Sequence, residues 1–311
     1  MLGQLAHKVW RKARRLLEPR PDTLFPLRAP LQLPAGVAEA DFHAFVASVR
    51  PAGAPEAEMV CYAAHDCRRF LHTLGLVRDL DGPALELGAN PYFTTMLLRR
   101  FSRLELTLAN YCGDQPGTAG LQQVFFRAPG AEHAEAVELP FHHFNAEKER
   151  FPFADADFAV VLFCEILEHL QQDPLAALRE IRRVLRPDGV LILTTPNVRR
   201  LENLARMLAG ENIYDPYSGY GPYGRHNREY TWRELELLLE HAGFGIETIF
   251  SADVHANQAG RFFPLSRLSR LVPCRARDLG QYLFVRARKR GAARPGVPAW
   301  LYRSVSEPAA V

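Results

Sequence analysis

Two hydrophobic periods alternate along this chain. Apolar runs of strand length lie at 84–87, 104–109, 158–163 and 190–197. Between and after them, at 92–101, 174–185, 199–208 and 231–243, apolar residues return every three or four positions. The first pattern predicts buried strands and the second amphipathic helices. The punctuation agrees. Gly88 follows the first run, Pro187-Asp188-Gly189 stands before the run at 190, and the stretch at 231–243 opens on Thr231, a good N-cap, and stops at Gly243. Strands alternating with helices predict an open α/β sheet. Two further helices, at 41–50 and 56–76, precede the first strand and are expected to cover one edge of the sheet.

Ligands of such sheets bind beyond the carboxyl ends of the strands. Glu165-Ile-Leu-Glu168-His169 stands there, directly after the run at 158–163. Its two glutamates and histidine are spaced i, i+3 and i+4, one face of a helix. Two carboxylates and an imidazole converging on one spot point to a divalent cation. The alternative is an acidic helix N-terminus favoured by the dipole, with a solvated histidine.

Further segments extend this picture: the Glu86-Leu-Gly88 turn, Phe153-Ala-Asp-Ala-Asp-Phe158, Glu168-His-Leu170, Arg183-Val-Leu-Arg-Pro-Asp-Gly189 and Thr195-Pro-Asn197. With them the chain, from about 80 to 288, resembles class I S-adenosylmethionine-dependent methyltransferases of the type 11 and type 23 domains. The resemblance implies a Rossmann-like α/β sheet of seven strands, the last one antiparallel, with 245–250 and 281–288 as the final antiparallel pair. An N-terminal helical extension precedes it. The expected organisation is a basic amphipathic helix at 1–18, a Pro-rich linker and helical cap at 19–79, the methyltransferase domain at 80–290 and a loose tail at 291–311.

The same resemblance implies S-adenosylmethionine as cofactor, seated over Gly88, with Glu86 in the acidic position before the turn. Ala89, Asn90 and Pro91 stand where further glycines are usual. That departure implies either a tighter turn with Asn90 in the left-handed conformation or a scaffold that has lost its cofactor. Asn110 ends the run at 104–109 where the family carries an acid for the ribose diol; an amide still bonds a hydroxyl but has no charge. Asn145 falls where the family contacts the adenine edge, and Glu165 counts among the cofactor contacts as well. For Asn110 and Asn145 a turn-stabilising role is the alternative.

Downstream, His226-Asn-Arg-Glu229-Tyr230-Thr231 leads into the last helical stretch. Glu-x-x-Glu-His followed by His-x-x-Glu-aromatic-Thr resembles the metal-binding set of small-RNA terminal 2′-O-methyltransferases. Glu-x-x-Glu-His alone also resembles ubiquinone-pathway O-methyltransferases. Carried over, Glu165, Glu168, His169 and His226 would hold Mg or Mn, which suit oxygen and imidazole ligands. Such an ion lowers the pKa of a sugar hydroxyl and orients its oxygen toward the sulfonium methyl. Without it, His169 or His226 would act as general base. The four side chains are therefore expected within one coordination sphere.

Composition narrows the partners. The 311 residues are 48% hydrophobic and 23% charged, enough for a substantial core in one α/β domain with appendages. A formal charge of +3 is too small to argue for nucleic acid. Five scattered cysteines without a Cys-x-x-Cys argue against a disulfide framework and favour a reducing, cytoplasmic setting. No apolar run is long enough to span a bilayer. Leu2, Leu5, Val9, Ala13 and Leu16 form one stripe with Lys8, Arg11, Lys12, Arg14 and Arg15 around it. Such a helix either lies on the inner face of an anionic membrane or packs against the domain. Residues 261–277, basic and apolar, read as a second surface patch. Tyr214, Tyr217, Tyr220 and Tyr223, set among glycines and prolines, suit sugar faces and bases alike, or else pack as a compact loop. The expected acceptor is a saccharide or a cell-envelope glycan precursor. Competing readings are an RNA terminus, a small aromatic or quinone hydroxyl, and a non-catalytic binding module.

Overall fold

The computed structural model describes residues 32–113, 119–128, 130–219, 221–272 and 278–304. The helix expected at 1–18 and Tyr220 lie outside them. The strands are β1 (Arg50–Pro51), β2 (Asp81–Leu87), β3 (Arg103–Asn110), β4 (Ala119–Phe126), β5 (Glu135–His143), β6 (Phe158–Cys164), β7 (Leu185–Pro196), β8 (Phe244–Ala252) and β9 (Tyr282–Lys289). The helices are α1 (Glu39–Ser48), α2 (Glu56–Leu76), α3 (Phe93–Phe101), α4 (Pro174–Val184), α5 (Leu201–Leu208), α6 (Trp232–His241) and α7 (Leu265–Leu271).

All nine strands form one sheet in the order β1-β4-β5-β3-β2-β6-β7-β9-β8. β5, β3, β2, β6 and β7 run parallel, and β9 runs antiparallel between β7 and β8. These seven are the Rossmann-like arrangement expected from sequence, final antiparallel pair included. β4 and β1 extend it antiparallel beyond β5. The sequence reading lacked both for a physical reason. β4 is half exposed, with Leu121 61% exposed, and leaves no apolar run. β1 is two residues long.

Alternate strand residues face opposite sides, and each side carries its own core. Ala84, Val160, Leu162, Val190, Ile192 and Phe284 pack under α1, α2 and α3, while Leu85, Val161, Phe163, Leu191, Leu193 and Val285 pack under α4 and α6. This explains why the strands read as continuous apolar runs: both faces are buried. α5 and α7 close a third, smaller cluster in which Leu201 and Ala205 meet Leu265, Leu268 and Leu279.

Two expectations need correction. The turn predicted at 187–189 lies inside the span of β7, as an irregularity with Asp188 at φ 58° and a register shift opposite Phe158 and Val160. The tail from 291, expected to be loose, is laid along α4 over its described residues. Val297, Leu301 and Tyr302 pack on the core, the Arg179 guanidinium donates to the Gly296 carbonyl (3.0 Å), and the Tyr302 hydroxyl donates to Asp173 (2.5 Å). Among the described residues no helix is long and apolar enough to cross a membrane.

Candidate active site

β2 and β6 are neighbours, but the chain leaves them toward opposite faces, through α3 after β2 and α4 after β6. A crevice opens at such a switch point. Here it holds a cavity of about 310 Å³ whose walls include Gly88, Asn110, Asn145, Glu147, Glu165 and Tyr223. A second cavity of about 230 Å³ adjoins it, with Tyr62, Arg69, Glu86 and Cys164 in its wall; Gly88, Asn90, Glu165 and His169 line both.

The turn after β2 is held by backbone and by Asn110. The Gly88 and Ala89 amides donate to the Ala109 carbonyl (2.8 and 3.2 Å). The Asn110 carboxamide accepts from the Asn90 amide (2.8 Å) and donates to the Tyr92 hydroxyl (2.9 Å). Gly88 has φ +65°, and a Cβ there would meet Ile166 Cδ1 at 2.9 Å. Asn90 is not left-handed: the positive angles fall on Gly88 and Tyr92 (φ 70°). The turn therefore closes with Asn110 as its brace. Glu86 is buried with its carboxylate accepting from the Thr95 hydroxyl (2.7 Å), and burial pushes the carboxyl up to about 8.

Asn145 follows β5. Its amide group donates to the Tyr223 hydroxyl (3.1 Å) and its carbonyl accepts from the Glu147 amide (2.9 Å). Tyr223 in turn donates to Glu147 (3.0 Å), whose other oxygen accepts the amides of Gln171, Gln172 and Asp173 (2.9, 2.5 and 2.8 Å). The Tyr111 ring stacks beside His143 (5.8 Å between centroids) and meets Tyr223 edge-on (5.5 Å), giving the cavity a polarisable wall.

Glu168 and His169 lie not on the first turn of α4 but on a separate 3-10 turn, Leu167–His169. The loop carrying His226 is stitched to it: the Glu168 carbonyl accepts from the Asn227 and Arg228 amides (2.7 and 3.1 Å), and the Asn227 carboxamide donates to the His169 carbonyl (2.8 Å). Glu168, His169 and His226 each offer a ligand atom, all within 4.8 Å of one another. The His169 Nδ1–H must donate to the Arg225 carbonyl (2.9 Å), since a carbonyl only accepts. His226 Nδ1 likewise bonds the Glu229 carboxylate (3.0 Å), which is anchored by Arg200. With Nδ1 so engaged, each imidazole in its neutral form presents Nε2 as its ligand atom, the arrangement in which imidazoles ligate metals. Glu168 is 0% exposed; Oε2 accepts from Thr195 (2.9 Å), while Oε1 has no hydrogen-bond partner among the described residues.

The electrostatics follow from that burial. Burial pushes the Glu168 carboxyl up to about 8, and the charge of Glu165 adds to the rise. Burial, then His226, holds His169 below the ordinary histidine range. For His226 burial works downward, but the Glu229 hydrogen bond with the Glu168 and Asp215 carboxylates outweighs it and the net shift is upward.

Glu165 stands outside this group. At φ +55° its chain turns the other way, and its carboxylate accepts from the Thr194 hydroxyl (2.8 Å). Burial raises its pKa against the pull of Arg69. Arg69 is buried between Asp66 (2.9 Å) and the Tyr62 hydroxyl (2.7 Å), so the second cavity has both signs of charge in its walls. Of the four expected ligands, three are brought together. Arg69, Glu147 and Glu229 were missed from sequence. Arg69 had a signal, being charged on the buried stripe of α2 beside Phe70 and Thr73; Glu229 sat inside His-x-x-Glu without a role. Glu147 had none.

A family model described as a methyltransferase domain matches residues 59–249. A protein of Mycolicibacterium smegmatis named "Probable S-adenosylmethionine-dependent methyltransferase" is 30% identical over 145 residues, 44% of this chain and 50% of that protein. A "Ubiquinone biosynthesis O-methyltransferase" of Cereibacter sphaeroides is 37% identical over 78 residues, 25% of this chain and 31% of that one. The chain thus spans half or less of the length of these curated relatives. A solved S-adenosylmethionine-dependent methyltransferase from Archaeoglobus fulgidus is similar at 14% identity and a TM-score of 0.43, over 71% of this chain and 91% of that one.

Proposed function

Because the chain belongs to the methyltransferase-domain family, we propose that it transfers a methyl group from S-adenosylmethionine to a hydroxyl of a saccharide, assisted by a divalent cation at Glu168, His169 and His226. The observation that carries the cation is the fully buried Glu168 Oε1, which has no hydrogen bond among the described residues and lies 3.9 Å from His169 Nε2, with His226 offering a ligand atom beside them. Leaving a buried carboxylate oxygen without a partner is costly, and a cation in that place removes the cost. The donor set, one carboxylate and two imidazoles, suits Mn²⁺ or a similar ion.

The cavities suit the cofactor. The larger, with Tyr111 and Asn145 in its wall, fits a nucleoside; the smaller, with Arg69 and Glu165, fits a zwitterionic amino-acid end. Bound there, the cofactor supplies a sulfonium methyl. The cation would supply a lowered pKa at an acceptor hydroxyl. The chain's own part is positional: Gly88 keeps the floor open, Arg225 and Glu229 fix the two imidazoles, and Tyr223 ties the acceptor-side loop to the cofactor side through Asn145 and Glu147. Where no cation is bound, Nε2 of neutral His169, which lines both cavities, would accept the hydroxyl proton. Tyr214 and Tyr217, 80% and 91% exposed, offer rings for a sugar face.

The test is transfer of label from methyl-labelled S-adenosylmethionine into a cell-envelope saccharide fraction. Incorporation should be lost with EDTA, recovered with Mn²⁺ and strongly reduced by His226→Ala. Label entering only a quinone or phenol fraction, as the likeness to the Cereibacter sphaeroides protein would have it, replaces the acceptor class. No incorporation and no calorimetric binding of S-adenosylmethionine leaves a binding module.

A further inference from the structure

Between β8 and β9 the chain runs from 253 to 281, and its central stretch, 254–277, carries five arginines and no aspartate or glutamate, with Asp253 and Asp278 at its two ends. Its described part folds onto α5, where Leu265 and Leu268 of α7 meet Leu201 and Ala205. α5 is fastened to the candidate cation centre: Arg200 at its N-cap pairs with Glu229, the residue that orients His226, and Asn203 donates to the same carboxylate (3.4 Å). Glu202 ties the other side of the lobe by accepting from the Gln258 amide (3.0 Å) and the Gln281 carboxamide (2.8 Å).

The outside of this lobe is unlike the rest of the surface. Eight large hydrophobic residues stand exposed among the described residues, and five belong to the lobe or to the loop leaving it: Met207, Leu208, Tyr214, Tyr217 and Leu271. Met207 is 60% exposed at the end of α5 and Leu271 is 61% exposed at the end of α7. Arg261, Arg267 and Arg270 are exposed beside them in sequence. Exposed apolar tips of this size gain nothing from water. Apolar tips set among arginines, the nearest acids in sequence being Glu211, paired with Arg206, and Asp215, beside His226, are the composition of an interfacial segment, in which the apolar groups enter the acyl boundary and the guanidinium groups stay with the phosphates. A nucleic-acid surface would use the arginines and leave Met207, Leu208 and Leu271 without a partner.

We propose that the α5–α7 lobe docks on an anionic lipid surface, with Met207, Leu208 and Leu271 entering the interface and Arg267 and Arg270 on lipid phosphates. The acceptor side of the cavity then opens toward a substrate held in the membrane. This extends the saccharide reading, and its test reads lipid partition rather than methyl transfer, so that either can fail alone.

The full chain is sedimented with phosphatidylcholine vesicles with and without phosphatidylglycerol. Wild type should pellet with the anionic vesicles only, and less at high salt. Each arginine near such a surface contributes about five-fold in partition, so Arg267→Glu/Arg270→Glu should lower binding by about 25-fold or more. Met207→Asp/Leu271→Asp should lower it comparably, with the thermal midpoint and S-adenosylmethionine binding unchanged, since both positions are exposed. Wild-type pelleting by both variants would place any membrane contact elsewhere, for example at residues 1–18, and overturn the proposal. So would the absence of vesicle binding, or binding of an RNA oligonucleotide that the arginine variant loses and the Met207/Leu271 variant keeps.

Discussion

Glu86 shows how a single side chain reports on the site. Its carboxyl is buried against Thr95 and raised from 4.5 to about 8. A raised acid contributes its stability in full below about 4.5 and loses it as pH climbs through about 8, at up to ~1.4 kcal/mol per pH unit. The thermal midpoint should therefore fall between pH 6 and about pH 8.5, and Glu86→Gln should flatten part of that fall. Glu168 and Glu165, both raised, keep a residual slope, and Asp253, raised to about 6, adds to it only in the lower part of that window. An unchanged slope in Glu86→Gln would show that the carboxyl is ionised in the fold. Gly88 sends a different message. A larger residue there would stand in the cofactor's seat, but φ +65° and the Ile166 contact make it destabilise the fold as well. Gly88→Ala should cost about 1–2 kcal/mol from the left-handed backbone alone, plus the crowding. Ile166→Ala in that background should recover the crowding and not the backbone cost, as urea unfolding can read.

At the scale of elements, what was legible depended on burial. β2, β6 and β7, covered on both faces, announced themselves as apolar runs, and α2 was read to its observed ends. β4 and α7 were not, because a half-wet edge strand and a seven-residue helix carry too little period. The candidate site was legible where its residues are adjacent in sequence, as in Glu168-His169. It was illegible where it depends on folding back: Glu147 reaches the start of α4 across the sheet, and Arg69 comes from a helix before the first strand of the family fold. Asn110 and Asn145 were read as cofactor contacts or turn braces; both have their side chains engaged by neighbours while lining the cavity. Glu147 should matter more than its place in a loop suggests. Glu147→Ala strands three amides and a tyrosine hydroxyl and should cost about 3 kcal/mol or more, against about 1 kcal/mol for Tyr223→Phe. Equal, small losses in chemical denaturation would mean that water replaces the carboxylate.

On the scale of the whole molecule, one sheet serves two tasks. The switch between β2 and β6 opens the cavities, and the connections after β7 and β8 rise from the same edge to supply His226, its partner Glu229 and the α5–α7 lobe. Convergence of Glu168 with His226 across that distance is what turns a methyltransferase-type crevice into a candidate cation centre. It is tested most directly by binding of Mn²⁺ to the full chain in the presence of S-adenosylhomocysteine, followed by loss of the free-ion paramagnetic resonance signal. Wild type should bind the ion, and His226→Ala and Glu168→Gln should each bind it at least about tenfold more weakly, the lower end of what perturbing such a site costs. A free-ion signal untouched by wild type, or equal binding by all three proteins, would contradict a cation at Glu168, His169 and His226.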